Sequence, residues 1–477
     1  MEDVVIIGGG VCGCSLLYAL SRYKVRAVLV EKENDVGDGA SKANSGIVHA
    51  GYDPEPNTLM AKYNVEGNRL MYELCGALDV PCKKTGSVVV GFSEGERKNI
   101  QELYDRGIAN KVPGLKIIEQ DELRRLEPHL SKTALFALYA ETGGVVSPWE
   151  FASAQAEAAV TGGGEVQLDT EVRGIRKEAG HFVVETNRGN IEARFVVNAA
   201  GVYSDVISRM IEPLHFTIHH KRGQYYLMDP VTSSLANTVI FQCPNEKGKG
   251  ILVAPTAHGN LIVGPDSETV KGDNRANTAA GLAFVREMAL KSVPEINFSQ
   301  SIRNFSGVRA DSDMKDFLVG ESKDVPGFFN IAGIKSPGLT SSPAIALDVV
   351  RMLGEAGLVL DANPKFVATR RVKRFKHMNA EERRKAVAEN PLYATIICRC
   401  ETVTEGEIVD ALKRPLPPRS LDAVKRRCSS GMGRCQGGFC GPRVLEIISR
   451  ELGIPVGDIP QDRAGMYIVS GVTKEPK

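Results

Sequence analysis

The chain opens with a short apolar run, Asp3 to Ile7, then a glycine turn at 8–13, an apolar-faced stretch at 14–23 and a second apolar run at 25–31 that ends in Glu31. Apolar runs bounded by turn residues predict buried strands, and helical periodicity between them predicts a βαβ opening. From about 80 to 150 and from 205 to 310, alternating segments such as Gly86 to Val90 and Gln224 to Met228 predict strands interrupted by charged helices. The βαβ theme returns at 192–205 and at 327–355, with a strand over Phe328 to Gly333 and a helix over 341–354. One domain is therefore built from separated pieces, with a second layer interrupting it.

Length and charge narrow the picture. At 477 residues the chain exceeds one ordinary core and predicts two or three domains. Lys plus Arg total 59 against 58 Asp plus Glu, which gives no electrostatic reason to expect nucleic acid. No apolar run approaches the roughly 20 residues that span a bilayer, so membrane association would have to come through a partner or a surface patch. Met1-Glu2-Asp3 leads straight into a strand without the basic region and cleavage site of a secretory signal, so a cytoplasmic setting is expected. There, thiols stay reduced, and clustered cysteines read as metal or redox sites rather than disulfides.

Gly8, Gly10 and Gly13 occupy a G-x-G-x-x-G pattern directly after a strand and at the start of a helix. The first permits a tight turn, the second admits a pyrophosphate to the backbone, and the third allows close helix–strand packing. Phosphates then meet the positive helix N-terminus. Glu31, 23 residues after Gly8, can accept hydrogen bonds from a ribose. The bland alternative is a tight turn without a ligand. Cys12 and Cys14, two apart on a helix, point to different sides and read as packing residues rather than a ligand pair.

These residues, with Ala40-Ser41-Lys42-Ala43-Asn44-Ser45-Gly46-Ile47-Val48-His49-Ala50-Gly51, Val196 to Gly201, Gly307-Val308-Arg309 and Ile331 to Thr340, resemble the D-amino-acid-oxidase-like superfamily of FAD enzymes. Within it the resemblance is to the glycerol-3-phosphate dehydrogenase and L-2-hydroxyglutarate oxidase branches, and it covers about residues 1–360. It implies an α/β (α+β) chain: a Rossmann-like FAD domain with a mixed sheet in pieces at about 1–80, 145–210 and 305–360, and an antiparallel β substrate domain at about 81–144 and 211–304. Ser41, Asn44 and Ser45 would contact the flavin or pyrophosphate, Val172 the adenine, and Gly338, Leu339 and Thr340 the flavin ring. Lys32, Ala200, Gly201 and Gly333 fall in the same cofactor-binding segments. Gly338, after Pro337 at a helix start, offers free N–H groups toward a reduced flavin.

Oxidising a hydroxyl needs a base, and His49, in the segment the resemblance places beside the flavin, is the candidate; a hydrogen-bonded structural histidine is the alternative. Arg309 matches a substrate-binding position of the glycerol-phosphate branch, and arginine suits phosphate or carboxylate. Its alternative is an internal salt bridge with Asp311 or Asp313. Lys335 stands where many related sequences carry an acid, which tilts the reading toward phosphate; a surface lysine is the alternative. The basic stretch His219 to Arg222 is expected on a strand edge, its histidines alternating in direction.

Residues 361–390, rich in Arg and Lys, read as a basic linker and solvated surface helix, and 391–460 as a separate domain with a tail over 461–477. Cys398 and Cys400 are followed after 34 residues by Cys435 and then by Cys440, among glycine-rich loops. Four thiolates on tight turns suit Cys₄ ligation. The segment at about 394–455 resembles the bacterioferritin-associated-ferredoxin-like domain, which implies a [2Fe-2S] cluster; a structural zinc site is the competitor. Cys428 is either a packing thiol or a substitute ligand, and Cys75, Cys82 and Cys243 read as packing residues.

FAD takes two electrons together and an iron–sulfur cluster passes them singly, so the pair implies a separate acceptor, an electron-carrier protein or a quinone-linked subunit. The expected reaction on a small anionic hydroxylated substrate is oxidation of sn-glycerol-3-phosphate to dihydroxyacetone phosphate. Alternatives are an L-2-hydroxyglutarate or other 2-hydroxy-acid dehydrogenase, an amine or amino-acid dehydrogenase, and the electron-transfer subunit of a complex.

Overall fold

A computed structural model describes residues 1–244, 250–471 and 473–474. In its first sheet the strand Glu2–Ile7 lies parallel to both Ala27–Val30 and Gly189–Asn198. Glu165–Gln167 extends the sheet beyond Ala27–Val30, and Phe328–Ala332 joins Gly189–Asn198 in parallel. An antiparallel hairpin, Val172–Glu178 with His181–Thr186, closes the other flank. From Val4 onward the opening strand is apolar because both of its faces are covered. Val4 and Ile6 pack under the helices Val11–Leu20, Pro148–Thr161 and Gly338–Glu355, while Val5 and Ile7 face a second cluster with Phe182 and Phe328.

Among the described residues the second sheet has nine strands and is largely antiparallel. Its longest pair, Ile218–Met228 with Ser301–Ser312, aligns Lys221 with Arg309 and Gly223 with Gly307. The strand carrying Gly307 and Arg309 thus belongs to this sheet along its whole length. The return to the first sheet falls after Ser312 rather than at 305, because ladder hydrogen bonds to Ile218–Met228 hold the strand there. Helix starts also differ from the expected ones. The first helix begins at Val11, where the Ser41 hydroxyl accepts from the Val11 N–H (2.9 Å), and the later one begins at Gly338. Sequence periodicity does not show these partners, which come from other elements.

The C-terminal domain packs the helices Glu405–Leu412, Leu421–Cys428 and Gly441–Leu452 around Ile408, Val424 and Ile448. It is joined to the first domain by buried ion pairs. Arg427 reaches Asp35 (2.6 Å) and Glu157 (3.1 Å), and Arg426 reaches Asp35 (2.9 Å). The basic segment is not simply a solvated face. Only Ala380–Glu389 is an exposed helix, and the residues before it form a strap in which Arg370 meets Glu157 (3.3 Å) and Arg374 meets Glu150 (2.9 Å) and Asp79 (3.0 Å). The start of the expected tail is likewise anchored: Asp462 binds Lys42 (2.6 Å) and Arg463 binds Asp38 (2.7 Å). Charge counting along the sequence cannot separate a paired arginine from a hydrated one, and here carboxylates of the first domain supply the partners. Among the described residues no helix is long and apolar enough to cross a membrane.

Candidate functional site

The glycine turn has the shape of a dinucleotide cradle. Gly8 has φ +109°, and a Cβ there would lie 2.6 Å from the Ala199 carbonyl oxygen; one on Gly13 would lie 2.0 Å from the Gly8 oxygen. Both positions are sealed by close packing of the strand end and helix. A Cβ on Gly10 would meet only the Ser41 hydroxyl, at 3.5 Å, so its outer side is open where a pyrophosphate would approach the helix N-terminus. Glu31, at the end of the second strand, is turned toward this turn: its carboxylate accepts from the Gly9 N–H (2.6 Å) and the Glu33 N–H (3.0 Å). Burial pushes the Glu31 carboxyl up to about 7 against those two donors. Lys32 lies over the Tyr203 ring, 3.8 Å from its centroid, just after Ala200 and Gly201, the latter at φ +57°. Val172 begins the hairpin on the sheet flank and is buried.

The segment after Ser41 is braced internally. Asn44 donates to the carbonyls of Ala40 and Ser41 (3.0 Å each) and accepts from the Gly46 N–H (2.8 Å), while Ser45 hydrogen-bonds the Tyr225 phenol. Asn44 therefore shapes the loop in this structure. The segment runs on to His49, whose backbone N–H donates to the Thr340 hydroxyl (2.9 Å) and whose carbonyl accepts from Asn64 (2.8 Å) and Asn68 (3.0 Å). Its Nε2 faces the Ser336 hydroxyl at 3.2 Å, and its ring stacks on Phe241 at 5.8 Å. Thr340 also donates to the Ile47 carbonyl (3.2 Å), so the helix starting at Gly338 and the His49 segment are locked together. Gly333, at φ +66°, packs against Ser312 and turns the chain from the strand toward this helix.

The expected cations divide. Lys335 donates to Asp311 (2.7 Å), which also holds Lys221 (3.0 Å), while Arg309 hydrogen-bonds the Ser267 hydroxyl (3.2 Å) and pairs with neither Asp311 nor Asp313. Lys221 and Lys335 thus share the Asp311 carboxylate, while Arg309, two residues before it on the same strand, is held by Ser267. Ser336, Asp311 and Lys221 were not expected as site residues: a serine beside proline and a charged strand carry no motif, and only register and loop geometry bring them in.

The four cysteines stand as two pairs. Cys398 hydrogen-bonds Cys440, and the sulfurs of Cys400 and Cys435 are 3.7 Å apart. Two pairs of thiols on tight turns fit the four-thiolate donor set of a two-iron cluster. The hydrogen bond from Cys440, helped by the N–H groups of Gly431 and Glu401 against burial, brings the Cys398 thiol down to about 6. N–H groups of Phe439 and Gly437 similarly lower Cys435. The close turns need glycine: a Cβ on Gly433 would lie 2.3 Å from Cys400 Cβ. Cys428 differs. Its thiol donates to the Val424 carbonyl (3.3 Å), burial pushes it up to about 12, and it serves as a packing thiol.

A mixed sheet with this turn, a half-buried acid just past the next strand and a separate four-cysteine domain together define a dinucleotide-binding redox enzyme. Residues 3–352 match the FAD dependent oxidoreductase family, and 396–450 match the BFD-like [2Fe-2S] binding domain. The chain belongs to the FAD dependent oxidoreductase family, and its cofactors are FAD and a [2Fe-2S] cluster. It is 45% identical over 99% of both chains to a glycerol 3-phosphate dehydrogenase of Caloramator mitchellensis. It is 28% identical to the mitochondrial L-2-hydroxyglutarate dehydrogenase of Homo sapiens, over 72% of this chain and 87% of that one. The dithionite-reduced L-α-glycerophosphate oxidase of Mycoplasma pneumoniae with FAD bound superposes with a TM-score of 0.74 at 31% identity, covering 78% of this chain and 99% of that one.

Proposed function

We propose that the chain oxidises sn-glycerol-3-phosphate to dihydroxyacetone phosphate and delivers the electrons, through its cluster domain, to a separate acceptor protein or quinone-linked subunit. The supporting observation is the end-to-end similarity, cluster domain included, to the Caloramator mitchellensis glycerol 3-phosphate dehydrogenase. Lys221 and Lys335 on Asp311, with Arg309 bound to no carboxylate among the described residues, leave positive charge that fits a dianionic phosphate better than a neutral group.

In this reading His49 takes the proton of the substrate's secondary hydroxyl at Nε2, the substrate hydroxyl replacing the Ser336 hydroxyl that holds this nitrogen in the absence of substrate. Arg309 and Lys335 hold the phosphate, Lys335 leaving part of its bond with Asp311 to do so. Ser41, Gly10 and Glu31 hold the dinucleotide, and Gly338 to Thr340 border the ring. FAD, when bound, takes up the hydride equivalent, and the cluster passes electrons on singly.

An L-2-hydroxyglutarate reading has the same cations binding carboxylates and is favoured by the Homo sapiens relative. Anaerobic mixing with each substrate separates them. Flavin bleaching followed by a reduced-cluster electron paramagnetic resonance signal is expected with glycerol-3-phosphate; bleaching only with L-2-hydroxyglutarate would transfer the assignment, and no bleaching with either would end both.

A further inference from the structure

A cavity of about 560 Å³ opens where three parts of the chain meet: the helix Pro148–Thr161, the strap over 367–377, and the cluster domain at 401–429. It contains none of the residues assigned above to substrate or FAD. Its inner wall holds more positive charge than local carboxylates neutralise. Glu157 alone faces three guanidinium groups, Arg427 (3.1 Å), Arg370 (3.3 Å) and Arg414 (3.7 Å). Arg427 has a second carboxylate in Asp35, but Arg426 shares it. Arg370 and Arg414 have no other carboxylate within ion-pair distance among the described residues, and Arg370 Nη1 is buried without a hydrogen-bond partner.

The rim adds Lys83, exposed and with no ion pair among the described residues, and Arg371, whose guanidinium reaches backbone carbonyls such as that of Ala77 (3.0 Å). The lining as a whole sets eight Lys and Arg side chains against five carboxylates, so a net positive charge faces a space large enough for an organic body as well as an anionic head. Guanidinium forks with a flexible lysine are the donor set that phosphate oxygens satisfy, and leaving a guanidinium nitrogen dry and unpaired is costly. We propose that this three-way cavity is a second binding site, for a small phosphorylated anion carrying at least two negative charges, that clamps the cluster domain against the FAD domain. Cys428 and Ser429 form part of the same wall, so occupancy would be felt in the cluster domain directly.

The test is calorimetric titration of the full-length, cofactor-loaded protein with inorganic pyrophosphate, carried out with Arg309→Ala and Lys335→Ala together so that both proposed phosphate contacts of the substrate site are removed. One saturable site per chain is expected. Adding Lys83→Ala and Arg371→Ala should weaken it by about tenfold or more, and Arg371→Lys should largely keep it. Both side chains are exposed, so folding is not at stake. No saturable heat with pyrophosphate, or an affinity unchanged by the double substitution, would overturn the proposal, and neither result would bear on flavin bleaching by glycerol-3-phosphate.

Discussion

The Ser336 hydroxyl stands 3.2 Å from His49 Nε2, tying the loop that follows the strand Phe328–Ala332 to a segment almost 290 residues earlier, at a sequence separation of 287. If that contact orients a base, His49→Ala should slow flavin reduction by about 100-fold or more, and Ser336→Ala by a smaller factor of about 3–10. Stopped-flow bleaching of the flavin measures both. A His49→Ala enzyme bleaching at the parent rate would remove His49 from the chemistry.

Arg309→Ala is expected to raise KM for glycerol-3-phosphate by about 10-fold or more, with less effect on kcat, because a phosphate contact is present before and during reaction. Lys335→Ala should do the same if the lysine leaves Asp311 for substrate. An unchanged KM would leave Lys335 as a partner of Asp311 and Arg309 as the main phosphate contact.

Cys398→Ser should abolish the visible and paramagnetic signals of the cluster while flavin bleaching by substrate persists. Cys428→Ala should keep them, since its thiol is protonated, buried and directed at the Val424 carbonyl. Loss of the cluster in Cys428→Ala would make it a ligand after all.

The domain junction predicts acid sensitivity. Burial pushes the Glu150 carboxyl up, but the hydrogen bond and charge of His258, with Arg374, outweigh it and hold the group down at about 2. A depressed folded-state value stabilises the fold above the unfolded value of about 4.3, and that contribution is lost as pH falls from there toward the folded value. Melting temperature should therefore drop over that window, and less steeply in Glu150→Gln; equal slopes would show that Glu150 does not couple to folding.

Removing one partner of the most buried pair should cost more. Arg427, with its side chain 1% exposed, leaves both Asp35 and Glu157 under-neutralised when replaced by Met, an expected loss of about 3–5 kcal/mol at the junction. Limited proteolysis should release the cluster domain faster from Arg427→Met than from the parent, whereas equal rates would place the junction's stability elsewhere.

By itself the sequence determined the dinucleotide turn, because strand, glycines, helix and acid lie within about 30 consecutive residues and each has a local steric or electrostatic reason for its place. It likewise determined the four-cysteine domain, whose spacing and glycines are local chemistry. It also marked Arg370, Arg426 and Arg427 as charged, but not as paired. The tertiary structure alone decided that His49 meets Ser336, that Lys221 and Lys335 share Asp311, that the sulfurs form two pairs, and that the strap and tail are bound by carboxylates of the first domain. Each of these contacts joins elements far apart in the chain, and hydrophobic period records which face of an element is buried, not which element buries it.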